Sequence, residues 1–169
     1  MVRTWVPLLA ALLGGGAIYY LTGRGGPSSP LPDDPDQLIL YSLDGKRMIP
    51  PADLPEAQKT GEWLYTFPVL GKVEVTDRRQ VREILTAMRQ AIRYPPKPSS
   101  CFWPRHAIRA VKEGEIVDVV VCFECHTYSA HRGDQLLTPH TPGISSDPEP
   151  LFDKTLTDAG VPLARKAHE

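Results

Sequence analysis

The stretch that most constrains the fold is an alternating run broken by Glu113-Gly114, with HAIRAVK before the break and EIVDVVVC after it. Apolar side chains at every second position, separated by charged ones, are the pattern of half-buried strands. A Glu-Gly pair between two such runs predicts a two-residue hairpin turn. That turn sets Lys112 opposite Glu115, Arg109 opposite Asp118, Ile108 opposite Val119 and His106 opposite Val121. Two opposite-charge pairs then fall into register, each contributing some tenths of a kcal/mol. Val117, Val119, Val121, Phe123 and Cys125 form one apolar face, and Asp118, Cys122, Glu124 and His126 the other. Carried past Pro104, which has no N–H for a ladder, the register sends Arg105 towards Cys122, Trp103 towards Glu124 and Cys101 towards His126.

Elsewhere the chain supplies what such a hairpin packs against. Val81, Ile84, Leu85, Met88 and Ile92 recur at helical spacing, Asp77 and Gln80 have the spacing of a capping box, and Pro95-Pro96 stops the helix. A second helix is predicted over 148–159, with Phe152, Leu156 and Ala159 on one face and Gly160 closing it. LILYSL at 38–43 and the Val73/Val75 alternation read as strands, with a bulge or bend expected near Pro68 and Gly71. The expected fold is α+β: an antiparallel sheet in ββαββα order with helices packed on one face, plus an N-terminal hydrophobic anchor.

Residues 5–21, WVPLLAALLGGGAIYYL, are uncharged and apolar or small throughout. No Ala-x-Ala cleavage site follows them, so residues 1–23 read as a membrane anchor or uncleaved signal. Tyr19 and Tyr20 suit the membrane interface. Residues 24–36, dense in Gly, Ser, Pro and Asp, read as a linker. Residues 37–163 then form a single domain and 164–169 a tail. The expected placement is membrane-anchored, with the domain outside the cytoplasm on the periplasmic or cell-surface side. With 19 basic and 20 acidic residues the net charge is −1, which offers no footprint for nucleic acid. A protein or small-molecule partner is not named by any motif.

The candidate site, or structural cluster, is Cys101, Arg105, His106, Cys122, Glu124, Cys125 and His126. With three cysteines, at most one internal disulfide can form. In the structural reading Cys101 bonds Cys122 and staples the open end of the hairpin, while Cys125 is a small buried hydrophobe. A zinc reading uses Cys101, Cys122 and His126 as ligands. Cys122-Phe-Glu-Cys125-His126 also has the C-x-x-C-H spacing of covalent haem c attachment, although on a strand residues three apart point to opposite faces. In a thiol-dependent reading, Arg105 activates Cys122. His131, His140 and His168 read as solvated.

From Cys101 onward the chain resembles an uncharacterised family of small exported bacterial proteins that carry C-F-x-P-R-H, a short hairpin and then C-F-x-C. The matching residues are Cys101-Phe102-Trp103-Pro104-Arg105-His106 and Cys122-Phe123-Glu124-Cys125, and Pro68-Val69-Leu70-Gly71 also fits. The resemblance implies an exported domain with an N-terminal signal or lipoprotein segment, and brings no activity with it. Histidine after the last cysteine lies outside the family pattern, which implies that C-x-x-C-H is accidental here.

Overall fold

A computed structural model describes residues 29–47, 61–138 and 142–166. The apolar run expected to anchor the chain lies outside the described residues. Among the described residues no helix is long and apolar enough to cross a membrane.

The described elements run β1 Gln37–Leu43, β2 Trp63–Leu64, β3 Phe67–Glu74, α1 Arg78–Arg93, β4 His106–Lys112, β5 Glu115–Cys122, β6 Thr127–Arg132, β7 Gln135–Leu136 and α2 Glu149–Asp158. The strands form one antiparallel sheet in the order β2-β3-β1-β4-β5-β6-β7. The fold is therefore α+β, as expected. The ββαββα order falls short: β6 and β7 extend the sheet beyond the central hairpin, where the sequence suggested that the second hairpin strand simply ran on.

The β4–β5 register is the one the alternation predicts, from His106 opposite Val121 to Lys112 opposite Glu115. Glu113 at φ 52° and Gly114 at φ 81° make the two-positive-φ turn whose twist matches that of the flanking strands. The bend expected near Gly71 is a register shift, Ser42 facing Gly71 and Leu43 facing Val69, so Leu70 is the extra residue on β3.

Helix α1 begins at Asp77, whose carboxylate accepts the Arg79 N–H at 2.8 Å. Gln80 does not complete a capping box. Its amide crosses to Thr155 Oγ1 at 3.1 Å and ties α1 to α2. Val81, Ile84, Leu85, Met88, Ala91 and Ile92 are buried on the sheet with Phe152 and Leu156 of α2. Leu38, Leu40, Ile108, Val117, Val119 and Val121 answer them from the sheet, so both helices cover the same face. Each such aliphatic side chain contributes about 1.5–3 kcal/mol by leaving water.

The opposite face is not left to solvent. Tyr41, Leu43, Leu64, Phe67, Ala107 and Val120 form a second core there, with Phe102 against Phe67. The sheet curls over this core. Tyr65, at the β2–β3 turn, donates its hydroxyl to Asp118 Oδ2 on β5 at 2.8 Å and stacks on His131 of β6 with ring centroids 4.0 Å apart.

The domain also reaches beyond its expected limits. Leu31, in the stretch read as linker, is buried in the main core, and Arg89 donates to the Pro32 carbonyl at 3.3 Å. Asp36 accepts the Glu113 N–H at 2.7 Å and so caps the hairpin turn. Residues 29–36 thus pack on the domain, through Leu31 in the core, the Pro32 and Pro35 carbonyls on α1, and Asp36 on the hairpin. The expected tail is likewise bound as far as 166: Lys46 Nζ donates to the Lys166 carbonyl at 2.9 Å.

Candidate functional site

The cysteine-bearing motifs meet at the end of the sheet where β4 begins and β5 ends. Gly45, after β1, lies directly on the Trp103–Pro104 backbone, where a Cβ would collide with the Pro104 carbonyl. The Leu43 N–H donates to the Arg105 carbonyl at 2.9 Å. Residues 101–105 therefore run beside the end of β1, although regular pairing starts only at His106, after the proline.

Residues 123–126 form a tight turn where a continuing strand was expected. His126 sits at φ 53° and its N–H donates to the Phe123 carbonyl at 3.2 Å. The Cys125 N–H points at Cys122 Sγ, 3.3 Å away. The turn redirects Cys125, which on a strand would face away from Cys122, back onto it. The two Cα atoms lie 5.2 Å apart, and the Cα of Cys101 is 5.7 Å from that of Cys125. Cys125 is thus within disulfide contact of both other cysteines. This corrects the expected Cys101–Cys122 staple: Cys125 is the shared partner, not an inert hydrophobe. Cys122 and Cys125 are each 1% exposed, whereas Cys101 is partly exposed.

Arg105 and His106 are both held by α2, and Arg105 also by the C-terminal segment. Arg105 donates from Nε to the Ala164 carbonyl at 2.9 Å and from NH1 to Glu149 Oε1 at 2.9 Å. His106 donates from Nε2 to Asp153 Oδ1 at 2.7 Å, and its ring lies against Phe123 and Phe152. Glu149 and Asp153 stand one turn apart on α2, so adjacent motif residues clasp a single helix face. Burial raises the Asp153 carboxyl pKa, but the His106 hydrogen bond and the charges of His106, Arg105 and Lys166 outweigh it, leaving it below the ordinary 3.8. The Arg105 guanidinium is thus engaged by α2 and the C-terminal segment, partners that the hairpin register alone does not suggest.

The zinc and haem expectations are overturned. Among the described residues no group of three or more His, Cys, Asp or Glu side chains is placed to hold a metal. His106 is committed to Asp153, the sulfurs are turned on one another, and His126 closes the turn rather than projecting as a ligand. The Nδ1 atom of His126 is buried without a hydrogen-bond partner, as are Ser42 Oγ and Thr127 Oγ1.

A second polar cluster was foreseen only as a weak cross-strand pair. Arg109 meets Asp118 with Nε to Oδ1 at 2.7 Å and NH2 to Oδ2 at 2.9 Å, while Tyr65 also donates to the same carboxylate. Asp118 is 2% exposed, so this is a buried forked ion pair. Burial first, and then the hydrogen bond and charge of Asp118, push the Tyr65 phenol well above its usual range. His131, expected to be solvated, is stacked in β6. Its burial lowers the imidazole pKa below 6.5 against the pull of Asp118. The partners that sequence reasoning missed, Glu149 and Asp153, left one signal: two acids four apart flanking Phe152 on an otherwise apolar helix face.

Fold and site together define a small α+β domain with a curled antiparallel sheet and a cysteine cluster at one end of it. No family model matches the chain, and no curated protein or solved structure matches it either.

Proposed function

We propose that this protein is an exported, membrane-tethered domain whose cysteine, arginine and histidine motif residues are architectural, a non-enzymatic module that presents a surface outside the cytoplasm. The observation that carries the reading is where the motif side chains go. Arg105 and His106 are spent on Glu149 and Asp153, and Cys125 is turned onto Cys101 and Cys122, so the motif residues fasten α2, the C-terminal segment and the 123–126 turn to the sheet. The apolar run at 5–21 supports the tether, and a disulfide at this end supports an oxidising compartment. The resemblance to small exported bacterial proteins with C-F-x-P-R-H and C-F-x-C supports the same placement.

The test is to recover the full-length chain from membrane and soluble fractions under conditions that trap thiols, and to measure its intact mass. The reading predicts a membrane-bound chain with Met1 and the apolar run retained, two hydrogens lighter than the reduced form. A chain with three free thiols, or one found wholly in the soluble fraction, contradicts it.

A further inference from the structure

We propose that Cys125 is the shared sulfur of an internal thiol–disulfide exchange, and that this exchange exposes Cys101 as a site for mixed-disulfide formation with disulfide-bearing molecules. The inference rests on the disulfide-stapled reading above and goes beyond it.

The Cα separations of 5.7 Å to Cys101 and 5.2 Å to Cys122 both fall within the roughly 4.4–6.8 Å that a disulfide spans. A sulfur can hold only one such bond, so the oxidised chain has two possible pairings and always leaves one thiol. The two pairings differ in which thiol is left. With Cys101 bonded to Cys125, the remaining thiol is Cys122, buried to 1% exposure. With Cys122 bonded to Cys125, the remaining thiol is Cys101, partly exposed and two residues from Trp103, itself 44% exposed.

The interconversion needs no oxidant. Cys122 gives its proton to solvent and its thiolate attacks Cys125 Sγ; the Cys122–Cys125 bond forms, the Cys101–Cys125 bond breaks, and Cys101 leaves as a thiolate. The Cys125 N–H aimed at Cys122 Sγ puts a hydrogen-bond donor beside the sulfur that carries the charge of the attack. Two backbone hydrogen bonds from outside the turn fix the segment that carries Cys125. Ser99 N–H donates to the Cys125 carbonyl at 2.9 Å, and Ile144 N–H donates to the His126 carbonyl at 3.0 Å. The freed Cys101 thiolate then attacks a disulfide R–S–S–R′, forming Cys101–S–S–R and releasing R′–S⁻, again with no net change in oxidation. The first internal disulfide is introduced by the same class of reagent: a disulfide oxidant takes two electrons and leaves as two thiols.

The full-length oxidised chain is quenched with acid before and after incubation with glutathione disulfide, and its linkages are read by peptide mass. Before incubation, both Cys101–Cys125 and Cys122–Cys125 peptides are expected. Afterwards, one glutathione on Cys101 is expected, together with an intact Cys122–Cys125 bond. Cys122→Ser should close Cys101–Cys125 and take up no glutathione, and Cys101→Ser should close Cys122–Cys125 and take up none. A single pairing before incubation, glutathione on Cys122, or uptake by Cys101→Ser equal to that of the parent would overturn the exchange while leaving the staple standing. A chain with no disulfide at all would remove the staple itself.

Discussion

At His126 the backbone is in the left-handed region, φ 53°, which a non-glycine residue enters at a cost of roughly 1–2 kcal/mol. The residue closes a turn, and what the turn asks of it is conformation rather than ligation. His126→Gly should therefore leave stability within about 1 kcal/mol of the parent, since relief of strain offsets the added chain entropy. Chemical denaturation measures this, and a loss of several kcal/mol would show that the imidazole is needed. Tyr65 makes the opposite case. Its hydroxyl reaches a carboxylate that is 2% exposed, so Tyr65→Phe should destabilise by about 1.5–3 kcal/mol in the same assay. His131, stacked on Tyr65, has its pKa lowered from 6.5 chiefly by burial. A depressed folded pKa means that the unfolded chain binds the proton more readily. The contribution of His131 is thus fully present above pH 6.5 and is lost as pH falls through the folded value. Asp153 acts in the same direction lower down, its share present above 3.8 and lost below. The thermal midpoint of the parent should fall on acidification below pH 6.5, and His131→Phe should flatten that first decline. An equal decline in both chains would contradict this assignment.

Among the elements, α2 shows how a short helix is held by few contacts of high quality. Its ten residues carry one large aromatic inward, Phe152, which touches both Phe123 and His106, and two acids that meet Arg105 and His106. Phe152→Ala should cost about 3–5 kcal/mol, measurable as a lowered denaturant midpoint with loss of helical signal. Much of this layer could be read in advance. The β4–β5 register follows from period-two alternation and a Glu-Gly turn, and α1 from its apolar spacing and Asp77 cap, because each signal is local in sequence. The turn at 123–126 could not be read so, since Phe, Glu, Cys and His carry none of the Gly or Pro marks of a turn. Its closure comes from a left-handed histidine and an N–H directed at a sulfur. Missing that turn hid β6 and β7 and placed Cys125 on the wrong side. The clasp of Arg105 on Glu149 was hidden for another reason: the partners are 44 residues apart, and only the packed fold joins them.

At the scale of the whole molecule, one sheet serves two cores. The helices cover one face, and on the other the sheet curls until Tyr65 latches to Asp118 on a strand well across the order. The ends of the domain are pinned as well, residues 29–36 on α1 and the hairpin, and residues 164–166 on Arg105, Lys46 and Glu149. The C-F-x-P-R-H segment is the common junction: its cysteine meets the 123–126 turn, its arginine and histidine hold α2, and its backbone lies on β1. If that junction is architectural, Arg105 and Glu149 should be coupled in stability. The measurement is a double-mutant cycle of Arg105→Ala and Glu149→Ala by equilibrium denaturation of the oxidised protein. The predicted result is a loss of about 2–4 kcal/mol for Arg105→Ala, with a coupling energy of roughly 1–3 kcal/mol between the two sites. Additive single losses, or an Arg105→Ala protein as stable as the parent, would contradict the clasp and return Arg105 to the list of residues that act outside the fold.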